Sequence, residues 1–102
     1  MRVLWSRAAA EQLGLIRRLH LRRQVFRAIT GLAKFPRRGR IPPEVARQPD
    51  LQFSGELREI IFPDLVRVFY RFEAETEIIH VLAMKFRGQE VGEDWLRAIL
   101  EL

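Results

Sequence analysis

The sequence predicts an α+β fold in which an antiparallel meander sheet of about four strands packs on an N-terminal helical hairpin. Three observations carry this expectation: two amphipathic helical stripes between Ala9 and Leu32, three strand-like runs in quick succession between Glu56 and Met84, and a proline-rich stretch between the two regions. Helices and strands that occur in separate runs favour segregated layers over alternating parallel units. At 102 residues with 48% hydrophobic content, the chain has the size of one domain with one core, so residues 1–102 are expected to form a single unit.

The first element is a short strand at Arg2-Val3-Leu4-Trp5, because Ser6 behind it is a favourable helix N-cap and Ala8-Ala9-Ala10 is strongly helix-forming. Leu13, Ile16 and His20 then recur at helical spacing, which carries the first helix to about Leu19. A second stripe of Leu21, Val25, Ala28, Ile29 and Leu32 faces inward, with Arg23, Arg27 and Lys34 roughly opposite. The short join around His20 makes the pair an antiparallel hairpin. Pro36 ends the second helix, and PRRGRIPPEVARQPD, with four of the five prolines, reads as irregular or extended chain.

Strands are expected at 56–62, 65–72 and 77–84, joined by Pro63-Asp64 and by Glu73 to Thr76. Joins this short require antiparallel neighbours. In the middle run Val66, Val68, Tyr70 and Phe72 share one face, and Leu65, Arg67, Phe69 and Arg71 share the other. The wholly apolar face should cover the helices, which leaves the face mixing arginine with apolar residues as a working surface. Lys85 to Gly92 reads as a charged loop. Glu93-Asp94 then opens a last helix through Trp95, Leu96, Ile99, Leu100 and Leu102, its first-turn acids favoured by the macrodipole. The expected order is β-α-α-β-β-β-α.

Composition narrows the function classes. Cysteine is absent, which excludes disulfides, thiolate metal sites and a cysteine nucleophile and suits a reducing cytoplasm. No leader-like or spanning apolar stretch is present, so neither export nor a membrane association is expected. Residues 1–50 hold 12 Lys/Arg against 3 acids (+9), and residues 51–102 hold 6 against 10 (−4), which together give the net +5. Sixteen of the 18 cations are arginine, whose planar fork suits phosphate and carboxylate, so an acidic partner is implied.

Trp5-Ser6 followed by Ala9 and Leu13, FPRRGR at 35–40, REI at 58–60 and above all VRVFYRF at 66–72 together resemble the RelE/ParE superfamily, the toxins of type II toxin-antitoxin systems. In that family the hairpin ends in P-x-x-G-R, and a later strand reads approximately Y-R-[VI]-[IF]-Y-R-[IV]. The resemblance covers nearly the whole chain in order, and it implies a cognate antitoxin as partner. Many relatives follow the last strand with a His-Gly-x-Arg segment and some with Tyr-Trp, whereas this chain reads Ala-Met-Lys-Phe-Arg-Gly-Gln-Glu at 83–90. For a ribonuclease of the RelE type, acting on messenger RNA at the ribosome, the matching positions offer only Arg67, Lys85 and Arg87, and Gly92 falls about where a late tyrosine belongs. The ParE branch, whose members inhibit DNA gyrase and need no catalytic set, is the closer likeness. A gyrase-directed, non-catalytic toxin is therefore the expectation, with the ribosome-dependent endoribonuclease as its alternative.

The remaining candidates have structural readings beside functional ones. His80, in an apolar strand, is of a residue type that can serve as a general base but suits a structural place better, and His20 reads as a helix-end residue. No metal is expected, because the histidines stand far from any matched carboxylate, and scattered glycines give no phosphate loop, so no cofactor is expected either. Arg58, Arg67, Arg71, Lys85 and Arg87 form a candidate patch on the sheet. Arg58 and Arg71 are expected to pair with Glu59, Glu73 or Glu77 across strands, which leaves Arg67 and Arg87 open. The antitoxin is expected on Arg23 and Arg27 of the hairpin and at a sheet edge. Trp95 and Ile99 are either core residues or a further partner surface.

Overall fold

The computed structural model describes residues 1–101. Its elements run β1 (Arg2–Trp5), α1 (Arg7–Gly14), α2 (Leu19–Thr30) with a 3-10 turn at Gly31–Ala33, α3 (Pro43–Ala46), β2 (Glu56–Phe62), β3 (Val66–Glu73), β4 (Ile78–Phe86) and α4 (Glu93–Leu100). The expected position of Leu102 in the last helix lies outside the described residues. Ser6 caps α1 as its residue type predicts: its hydroxyl accepts from Ala9 N at 3.0 Å and donates to Leu82 O at 2.6 Å, tying the cap to the sheet.

The first helix stops at Gly14 rather than near Leu19, and His20 lies in the first turn of α2 rather than in the join. The amide nitrogens of Leu15 and Ile16 turn back onto the carbonyls of Gln12 and Leu13, at 3.0 and 3.1 Å, so a tight turn closes the helix. Ile16 is buried by that turn while Leu15 stands in solvent. An apolar spacing that runs on through a helical turn therefore overstates the helix.

The four strands lie in the order β1-β4-β3-β2. The meander β2-β3-β4 is antiparallel as expected, but β1 pairs with β4 in parallel, Arg2 facing Ile78 and Trp5 facing Val81. The sheet is thus mixed. A parallel pair needs a crossover of a dozen residues or more, and here the hairpin and the two meander strands supply it. Nothing in so short a strand encodes its direction; the Ser6 amide fixes its end, donating to Val81 O at 2.9 Å.

The apolar face of β3 covers the helices. Val66, Val68, Tyr70 and Phe72 pack with Ile79, Val81 and Met84 against Ala9, Ile16, Val25, Ile29 and Leu32. Leu65, expected on the other face, precedes the strand and packs with this cluster. The opposite face carries a second, smaller cluster of Leu57, Phe69, Leu82, Ala83, Leu96 and Ile99, with Val45, Leu51, Phe53 and Trp95 at its margin. A bulge allows β4 to serve both: the register passes from Phe69–Ala83 to Tyr70–Val81, so Leu82 is an extra residue, and it lies with Ala83 on the second face. The stretch expected to be irregular contains α3 and the bridge of Arg40 to Glu59, which extends the sheet beyond β2.

Candidate functional site

The mixed face of β3 places Arg67 beside two carboxylates. Its Nε donates to Glu59 Oε2 at 3.0 Å, and Nη2 also reaches that oxygen. Nη1 and Nη2 donate to the two oxygens of Glu44 at 3.0 and 2.8 Å. Four of the five guanidinium N–H groups are thus engaged. The guanidinium carbon also lies 5.1 Å from the centre of the Phe69 ring. Glu59 is fully buried, and its other oxygen accepts from Arg40 Nε at 2.9 Å. The result is an alternating chain, Glu44-Arg67-Glu59-Arg40, with no net charge. The hydrogen bond from Arg67 holds the Glu44 carboxyl below its ordinary pKa against the opposing effect of burial. The same bond to Glu44 raises Arg67 above the usual guanidinium value, and Glu59 adds to it.

The five-cation patch is not one surface. Arg58 is opposite Tyr70 in register and so lies on the helix-side face, where it donates to Gly39 O at 2.7 Å and Glu56 Oε1 at 3.0 Å. Arg71 has Nε 3.3 Å from Glu73 Oε1, a contact that lacks hydrogen-bond geometry. Both pair along their own strands rather than across. Arg67, Lys85 and Arg87 do converge: Lys85 is opposite Arg67 in register, and all three line a shallow depression of about 160 Å³ together with Asp64 and Gln89. Lys85 Nζ sits 4.4 Å from the centre of the Trp95 ring. Arg87 is 75% exposed, and its one ion-pair contact among the described residues is Asp64 Oδ1 at 3.8 Å. The depression has no histidine or tyrosine in its lining. His80 is opposite Arg71, towards the other end of β4.

Arg23 and Arg27 are exposed on α2, where Leu19 and Phe26 also stand open to solvent and Phe26 stacks on Trp5 at 5.9 Å. Trp95 and Ile99 face the sheet. Trp95 meets Phe69 edge to face at 5.0 Å, and Ile99 is 4% exposed within the second cluster.

Glu44 was not singled out by sequence, and three further residues were named there without the roles they take: Gly39 within FPRRGR, Glu59 as a partner expected for Arg58 or Arg71, and Tyr70 on the apolar face of β3. The buried Tyr70 hydroxyl donates to Pro36 O at 2.7 Å and accepts from Gly39 N at 3.0 Å, and burial raises its pKa. A Cβ on Gly39 would lie 2.6 Å from Glu59 O and 2.7 Å from the Tyr70 hydroxyl, so only glycine fits. FPRRGR is therefore a docking motif for its own loop. A signal for Glu59 did exist, since it shares a strand face with the apolar Leu57, and an acid buried beside it needs a partner.

A family model described as the ParE toxin of the type II toxin-antitoxin system parDE matches residues 3–90. No curated protein matches the chain. Among solved structures, the chain is similar to one in the crystal structure of the intact E. coli RelBE toxin-antitoxin complex, at 12% identity and a TM-score of 0.62, covering 86% of this chain and 98% of that one. It is also similar to the isolated E. coli RelE toxin, at 14% identity and a TM-score of 0.61, covering 96% and 94%. At these identities the structures testify to the fold. Among the described residues no helix is long and apolar enough to cross a membrane.

Proposed function

Since the chain belongs to the ParE toxin family, and is thus the toxin of a type II toxin-antitoxin system, we propose that its target is DNA gyrase and that it acts there by binding, without catalysis. The observation that carries this reading is the clamped state of Arg67. Phosphodiester cleavage needs cations aimed at the charge that develops in the transition state. Arg67, one of the cations at the matching family positions, instead spends four of its five donors on Glu44 and Glu59. Lys85 is drawn over Trp95, and Arg87 alone faces solvent freely. The depression they line also has no imidazole or phenol to move a proton.

A cognate antitoxin neutralises the chain in this reading, and residues 1–102 act as one unit in the cytoplasm. Arg23 and Arg27, with Leu19 and Phe26 exposed beside them, offer an acidic segment both charge and apolar contact. Trp95 and Ile99 come within its reach only if α4 gives way to a partner helix, because both now pack on the sheet. The test of the target is twofold. Purified toxin should inhibit supercoiling by gyrase, and induced expression should arrest replication and break DNA before messenger RNA integrity falls. Cleavage within ribosomal A-site codons that appears first would overturn the proposal in favour of the endoribonuclease.

A further inference from the structure

The loop 34–38 does something that its own packing does not require. Its base is held firmly: Tyr70 grips Pro36 O and Gly39 N, Arg58 donates to Gly39 O, and Arg37 Nε donates to Glu56 Oε2 at 2.9 Å while its guanidinium lies over Phe72. On that footing Phe35 stands 66% exposed. Lys34 and Arg38 are exposed beside it and make no ion pair among the described residues. Together they border an open hollow of about 640 Å³. Along the chain the charge has one sign, since the sequence from Gln12 to Pro43 holds nine Lys/Arg and no carboxylate; carboxylates from elsewhere answer two of the nine, Glu56 on Arg37 and Glu59 on Arg40.

We propose that this loop is a contact for single-stranded nucleic acid, with one unstacked base lying on Phe35 and the adjoining phosphates against Lys34 and Arg38. A free aromatic face flanked by unpaired cations matches base stacking coupled to backbone neutralisation. The acid-free run favours a polyanion charged at every unit; a peptide of mixed composition would leave most of these cations unanswered. Single strands are required because a duplex keeps its base faces stacked and offers Phe35 nothing to cover. The preformed base lowers the ordering cost of the encounter. The inference does not depend on gyrase being the target.

The test is fluorescence anisotropy on the full chain, with a labelled oligothymidylate of about 12 nucleotides and its duplex with oligodeoxyadenylate. Phe35→Ala should weaken single-strand binding by about 5- to 150-fold, the range for one lost base–aromatic stack, and Phe35→Trp should retain it. Replacing Lys34 and Arg38 by alanine should reduce the salt slope of log K by about 1.4, two phosphate contacts at about 0.7 each, whereas Phe35→Ala leaves the slope unchanged. Melting temperatures should hold, because these side chains are exposed. Binding insensitive to Phe35→Ala would overturn the proposal, as would a duplex held as tightly as the single strand. An oligoglutamate that binds equally well, with the same dependence on Phe35, would replace it with an acidic protein segment as occupant.

Discussion

Replacing Arg67 by alanine removes the cation hydrogen-bonded to both oxygens of Glu44 and one of the two on Glu59. Breaking a buried pair from one side costs about 3–5 kcal/mol, because the remaining charge is stranded out of water. Glu59 is fully buried but keeps Arg40 on its other oxygen, and Glu44 retains some solvent contact, so the low end applies, about 3 kcal/mol. For a chain of this length 1 kcal/mol moves the melting temperature by about 4–8 °C, which makes the expected fall about 12–24 °C. Arg67→Lys keeps the charge but loses the fork that spans both carboxylates, and should fall roughly half as far. Arg87→Ala, at an exposed site, should stay within about 0.5 kcal/mol of the parent. Thermal denaturation and growth arrest on induction, measured for all three variants, give the answer. A parallel loss of stability and toxicity at Arg67 alone supports a structural role. An Arg67→Ala protein that melts within about 3 °C of the parent would refute the energetics, and full stability with toxicity abolished at both positions would refute the non-catalytic reading.

Three further outcomes are expected. Tyr70→Phe leaves Gly39 N–H and Pro36 C=O without their shared hydroxyl and should cost about 1–3 kcal/mol in urea denaturation, with faster amide exchange in the 34–38 loop than elsewhere. Acid should weaken the fold through Glu44: its folded pKa lies below the ordinary 4.5, so its contribution is present above 4.5 and is lost as pH falls through the folded value. Glu44→Gln should flatten that part of the stability–pH curve, and an unchanged curve would count against the clamp. Charge reversal of Arg23 and Arg27 together should slow antitoxin association at low salt by about tenfold or more, an effect that fades at high salt; an unchanged rate would move the interface elsewhere.

Much of the fold was legible because period and polarity agree along the chain. Val66, Val68, Tyr70 and Phe72 declare the helix-side face of β3 by alternation alone, and the short turns after Phe62 and Glu73 require the meander. What was hidden depends on where distant segments meet. The direction of β1 is set by its seat against β4, and the end of α1 by a turn that preserves helical spacing. The site divided in the same way. Arg67, Lys85 and Arg87 were named from the sequence and do converge, since strand register brings them together. That Arg67 is already satisfied was not visible, because Glu44 arrives from α3, within a stretch whose prolines suggested irregular chain. The second face was also underestimated: its cluster needs α4, the 45–53 segment and the displaced Leu82, three pieces with no common period.

The parallel seat of β1 sets a timetable for the newborn chain. Arg2 finds its partner only at Ile78, 76 positions later (78 − 2), so the earliest of the four strands is among the last of them to be placed. At about 5–20 residues added per second, those 76 positions represent about 4–15 s of synthesis. The two helices, whose contacts are local, can meet during that interval, whereas the sheet must wait for its distant strands. A ribosome therefore carries the cationic hairpin well before the sheet that backs it is complete.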